Sequence, residues 1–147
     1  MMSLRELYQE MIIDHGKSPR NFGTLALANH RQAGHNPLCG DKLMIYVLEK
    51  EGLVEDVRFE GAGCAISMAS ASLMTEAIKG KELAAIDQLF THFHELVTQG
   101  IEPETSIGKL AVLAGVAAYP VRVKCATLAW HTLNAALKNE SQPVSTE

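Results

Sequence analysis

Cysteine is scarce in this chain: three residues in 147. An odd count excludes a framework in which every cysteine is disulfide-bonded. No two cysteines stand as Cys-x-x-Cys, so the spacing is not that of a zinc ribbon. No apolar run is long enough to span a bilayer. The net charge is −4 and no dense stripe of Lys and Arg occurs, which argues against a nucleic-acid partner. The N-terminus, Met1-Met2-Ser3-Leu4-Arg5-Glu6, lacks the basic-then-apolar order of a secretory signal. A cytoplasmic location is the expectation, and a reducing compartment keeps thiols free. No internal repeat or linker divides the sequence, so residues 1–147 are read as one domain. The polar tail from about 140 to 147 is expected to be disordered.

What is present reads as alternating structure. Ser3-Leu4-Arg5-Glu6 has capping-box spacing, and Leu4, Leu7, Tyr8, Met11 and Ile12 form a helical stripe. Gly16 is the expected C-cap, ahead of Pro19. Residues 17–36 read as loop with a short edge strand near Arg31–His35. Leu43–Leu48 and Leu53–Phe59, separated by Glu51-Gly52, read as a β-hairpin. A helix follows Cys64 and ends at Gly80, and a second runs from Leu83 to Thr98. A small-residue helix spans Ile107–Ala118, stopped by Tyr119-Pro120. A last helix runs from Val121 or Arg122 to about Lys138. The class is α+β: a small antiparallel sheet of about three strands with five to six helices.

The cysteines carry the chemistry. Cys39 lies in Leu38-Cys39-Gly40-Asp41, Cys64 after Gly61-Ala62-Gly63, and Cys125 after Arg122-Val123-Lys124. Each falls at a predicted junction between elements. Three thiolates and the Asp41 carboxylate can complete a tetrahedral shell around zinc or iron. Cys64 and Cys125 are placed at helix starts, where free amides and the dipole favour thiolate. Carboxylate oxygen is a harder ligand than sulfur, so Asp41 should leave more easily than a fourth thiolate would. Arg122 and Lys124 could further favour a thiolate at Cys125. The bland alternative is that a free cysteine is a small buried hydrophobe. His15, His30 and His35 could serve a thiol as base, although such histidines are more often satisfied locally. His92 and His94 flank Phe93 on a predicted helix and face different ways.

Four stretches, taken together, resemble the SufU/IscU proteins of iron–sulfur cluster assembly. They are Asp14-His15-Gly16-Lys17-Ser18-Pro19-Arg20-Asn21, Asn36-Pro37-Leu38-Cys39-Gly40-Asp41, Gly63-Cys64-Ala65-Ile66-Ser67-Met68-Ala69-Ser70-Ala71-Ser72 and Arg122-Val123-Lys124-Cys125-Ala126-Thr127-Leu128-Ala129-Trp130. The resemblance covers nearly all of the chain to about Lys138 and implies the SufE/NifU, IscU-like fold. Within the family it is similar to the SufU branch. IscU proteins carry a His just before the third cysteine, where Lys124 stands here. Their Leu-Pro-Pro-Val-Lys chaperone motif is here Ala118-Tyr119-Pro120-Val121-Arg122. The long step from Cys64 to Cys125 matches the extra segment of SufU proteins, placed within Phe93–Leu110.

The resemblance implies zinc held by Cys39, Asp41, Cys64 and Cys125, with iron or a transient [2Fe-2S] cluster as the alternative. It implies that Cys39 accepts persulfide sulfur from a SufS-type cysteine desulfurase, for delivery to downstream scaffold or acceptor proteins. It implies that Arg122 pairs with Asp41 when the carboxylate leaves the metal. The expected function is a zinc-bound sulfur acceptor. The alternatives are a cluster-assembly scaffold, a structural zinc adapter and, more distantly, a hydrolytic thiol enzyme.

Overall fold

A computed structural model describes residues 3–103 and 106–146. Ser3 caps α1 (Leu4–Lys17): its Oγ accepts from the Glu6 N–H at 3.2 Å and donates to Glu6 Oε1 at 3.3 Å. The glutamate thus answers the Ser3 hydroxyl. The helix runs through Gly16 and is capped by Ser18, not by the glycine. Gly16 instead permits a close approach, since a Cβ there would lie 3.3 Å from the Ala65 carbonyl oxygen.

The strands are β1 (His30–Asn36), β2 (Asp41–Lys50), β3 (Leu53–Ala62) and β4 (Val144–Ser145), in the order β3-β2-β1-β4. The β2–β3 hairpin turns at Glu51 and Gly52, whose φ values are 53° and 80°. Ile45, Val47, Val57 and Phe59 are buried on one face of the sheet, as two-residue alternation requires. The ladder between β1 and β2 is antiparallel and ends with Asn36 opposite Asp41.

Two expectations are corrected here. The sheet has four strands among the described residues and is mixed, because β4 pairs parallel to β1. The tail expected to be disordered supplies that strand, and the Thr146 N–H donates to the His35 carbonyl at 3.2 Å. Glu147 lies outside the described residues.

Among the described residues, four α-helices and one 3₁₀ helix complete the fold. Helix α2 (Ala65–Ile78) packs on α1, α4, β3 and the 3₁₀ helix, and everything from Ser67 to Thr75 is buried. Its serines are tolerated because most have partners. Ser70 donates to the Ala126 carbonyl, and Ser72 Oγ meets His15 Nδ1 at 2.7 Å and the Arg20 N–H at 2.9 Å.

Helix α3 (Leu83–Gln99) ends at Gly100, which is left-handed at φ 71°. Its Phe93 and Phe90 stack on Trp130, at centroid distances of 5.1 and 5.7 Å. The small-residue helix expected over Ile107–Ala118 is present as a 3₁₀ helix, Gly108–Ala118. Leu110, Leu113 and Val116 recur every third residue, and all three are buried. A three-residue turn aligns that spacing on one face.

Helix α4 (Pro120–Leu137) begins at the proline that was read as a stop. Proline suits the first helical position, where its missing N–H is not needed. Among the described residues, no helix is long and apolar enough to cross a membrane.

Candidate metal centre

The sheet and two helices bring distant segments of sequence together. Cys39 sits in the β1–β2 turn, followed by Gly40 at φ 70°. Asp41 opens β2. Cys64 is the N-cap of α2, and Cys125 lies in the second turn of α4. One donor atom from each of Cys39, Asp41 and Cys125 lies within 4.8 Å of the others. The Cys125 thiol donates to Cys39 Sγ at 3.1 Å. Cys39 is partly exposed, while Cys125 and Asp41 are 0% and 1% exposed.

Cys64 stands beside this trio. Its backbone N–H donates to Asp41 Oδ1 at 2.8 Å. Its sulfur is not one of the three clustered donors. The cap fixes its backbone against the carboxylate, and the side chain stays partly exposed. Gly63 completes the cradle, since a Cβ there would collide with Asp41 Oδ1.

The electrostatics differ from expectation at Cys125. Burial raises its pKa far above the ordinary thiol range. Its hydrogen bonds with Cys39 and Cys64 and the negative charge of Cys64 and Asp41 act in the same direction. The residue is past the first turn of α4, so the free amides of the helix start do not reach it. Arg122 and Lys124 do not serve it either. Arg122 is exposed, makes no ion pair among the described residues, and lines a cavity of about 630 Å³ with Leu4, Tyr8, Ile12 and Tyr119. Lys124 lines a groove with Thr127 and His131.

A buried carboxylate held only by neutral donors, beside two thiols in contact, is a donor set suited to a divalent metal. Thiols release their protons on binding a metal, so burial that disfavours bare thiolates is compatible with such a site.

Sequence reasoning gave no role to Asn36. It is fully buried, and its Nδ2 donates to Asp41 Oδ2 at 3.3 Å and to Cys125 Sγ at 3.5 Å. The available signal was alternation along β1, where Gln32, Gly34 and Asn36 share the buried face.

The histidines are engaged elsewhere. His15 is buried against Ser72, and His30 bonds Glu49 Oε1 at 2.8 Å and the Ala136 carbonyl at 3.0 Å. His35 is exposed on the face of β1 opposite Asn36. His94 packs edge-on against Phe90 and His131. Among the described residues, no histidine joins the cysteine–aspartate group.

Comparison with known proteins agrees with this picture. The model of the NifU-like N-terminal domain matches residues 7–127. A protein of Bacillus subtilis (strain 168) named zinc-dependent sulfurtransferase SufU is 42% identical over 140 residues, 94% of each chain. A protein of Streptococcus pyogenes serotype M1 named iron-sulfur cluster assembly scaffold protein IscU is 39% identical, over 96% of this chain and 89% of its own. A solved structure from Fervidobacterium islandicum AW-1, described as a candidate iron–sulfur cluster assembly scaffold for the SUF system, superposes with a TM-score of 0.83. It is 34% identical, with 92% of this chain and 99% of that one covered.

Proposed function

Because the chain belongs to the family of NifU-like N-terminal domains, we propose that it is a metal-bound sulfur acceptor in iron–sulfur cluster assembly. It receives persulfide sulfur from a SufS-type cysteine desulfurase in the cytoplasm and passes it to downstream scaffold or acceptor proteins. Cys39, Asp41, Cys64 and Cys125 are the proposed ligands. The supporting observation is a partly exposed turn thiol, Cys39, that contacts the buried Cys125 and groups with it and Asp41; Cys64, also partly exposed, lies outside that group of three. Zinc is the preferred ion, and when bound it supplies the positive charge that keeps the thiols deprotonated near neutral pH.

The chain's residues then have separate tasks. Cys125 and Asp41 form the buried floor, and Cys64, whose backbone N–H holds Asp41, is the remaining donor. Cys39 lies in a turn and reaches solvent. Its thiolate attacks the outer sulfur of the partner's persulfide. A new S–S bond forms on Cys39, the donor's S–S bond breaks, and the donor cysteine leaves with the electron pair and takes up a proton. No net oxidation occurs. Arg122 is proposed to receive the Asp41 carboxylate once it is released.

Elemental analysis with an absorption spectrum tests the metal. One equivalent of zinc and no colour supports this reading. Iron with sulfide and a brown colour supports the second one, a scaffold, which the IscU relatives favour. Cys39→Ala should abolish stimulation of a partner desulfurase while the chain stays folded. Mass spectrometry should place an added sulfur on the peptide containing Cys39. Sulfur found only on Cys64 or Cys125 would contradict the assignment.

A further inference from the structure

Asn36 touches both the hard and the soft side of the cluster. Its one amide nitrogen donates to the Asp41 carboxylate and to the Cys125 sulfur, at 3.3 and 3.5 Å. The other carboxylate oxygen is held by the Cys64 N–H. The strand ladder fixes the Asn36 backbone, because Asn36 and Asp41 are its terminal cross-strand pair. The side chain is 0% exposed, and its Oδ1 has no hydrogen-bond partner among the described residues. Burying an unpaired amide oxygen is unfavourable, so packing does not explain an amide at this position. An apolar side chain of the same shape would fill the space without that cost, but it would leave Asp41 Oδ2 without its donor.

We propose that Asn36 is a positioning residue of the metal centre, whose side-chain amide holds the Asp41 carboxylate and the Cys125 sulfur in register for a single ion. The inference rests on the metal-site reading above. Partners that orient a metal-binding carboxylate commonly change metal affinity by about 10- to 100-fold when removed. Asn36 sits on a regular strand, the kind of support that keeps such geometry tight.

The test compares wild type, Asn36→Leu, Asn36→Ser and, as a control, Gln32→Ala. Gln32 shares the buried face of β1 but bonds the Glu140 carbonyl, away from the cluster. Zinc affinity is read by competition with a chelator, the chelated protein by thermal unfolding, and the cobalt(II)-substituted protein by its d–d absorption. Asn36→Leu should lower zinc affinity at least about tenfold. In the chelated variant the gain from removing the unpaired Asn36 oxygen is offset by leaving Asp41 Oδ2 without its donor, so its unfolding temperature should change little. Its cobalt band should shift, and Gln32→Ala should leave both affinity and band unchanged. Asn36→Ser keeps one hydroxyl donor and should fall between wild type and Asn36→Leu. It also carries the test if the leucine variant does not fold. An unshifted cobalt band overturns the proposal, as does a loss of affinity matched by an equal loss in the chelated protein's unfolding temperature. Wild type that binds no zinc would instead refute the metal-site reading.

Discussion

Gly63 has no room for a methyl group. A Cβ there would meet Asp41 Oδ1, and the same carboxylate oxygen already accepts the Cys64 N–H. Gly63→Ala should therefore push Asp41 out of its cradle. Overpacking of this kind typically costs about 1–3 kcal/mol, measurable by urea unfolding of the metal-free protein. It should also reduce bound zinc below one equivalent. Full zinc with unchanged stability would show that Asp41 has other room. Cys39, Asp41 and Cys64 were legible as residue types beside glycines, and Cys125 as the one cysteine left. Asn36 was not, because an asparagine before a proline reads as turn chemistry. Its burial depends on a partner strand that only the fold supplies.

Among the elements, the β2–β3 hairpin follows from its sequence. Apolar-rich runs flank a two-residue turn, and the structure places Glu51 and Gly52 there with positive φ. Glutamate is a poor occupant of a left-handed position. Glu51→Asn should stabilise the chain by up to about 1 kcal/mol in urea unfolding, with no effect on metal content. A loss of stability would mean that the Glu51 side chain makes a contribution its exposed position does not suggest.

Other elements were hidden for physical reasons. A two-residue strand at Val144–Ser145 carries no periodicity to detect. Pro120 is compatible with either a stop or a start, and the choice moved Cys125 from the first turn of α4 into the second. Every-third-residue burial at Leu110, Leu113 and Val116 is easily read as part of an α-helical stripe.

At the scale of the molecule, acid should loosen the fold. His15 has its pKa lowered mainly by burial and also by Arg20, and His131 mainly by burial and also by His94. Free histidine titrates near about 6.5, so below that pH the unfolded chain takes up protons that the folded chain resists. Stability contributed this way is present above about pH 6.5 and is lost as pH falls through it. The unfolding temperature of chelated protein should drop on acidification through this range, and His15→Gln with His131→Gln should flatten the slope. An equal slope in the double variant would assign the effect to other groups. The sole tryptophan, Trp130, adds an optical consequence. It is fully buried, stacked between α3 and α4, and five positions beyond Cys125 on the same helix. Its emission should be blue-shifted in the native chain and move to the red when α3 lifts from α4. The protein thus carries a built-in fluorophore for following that docking without a label.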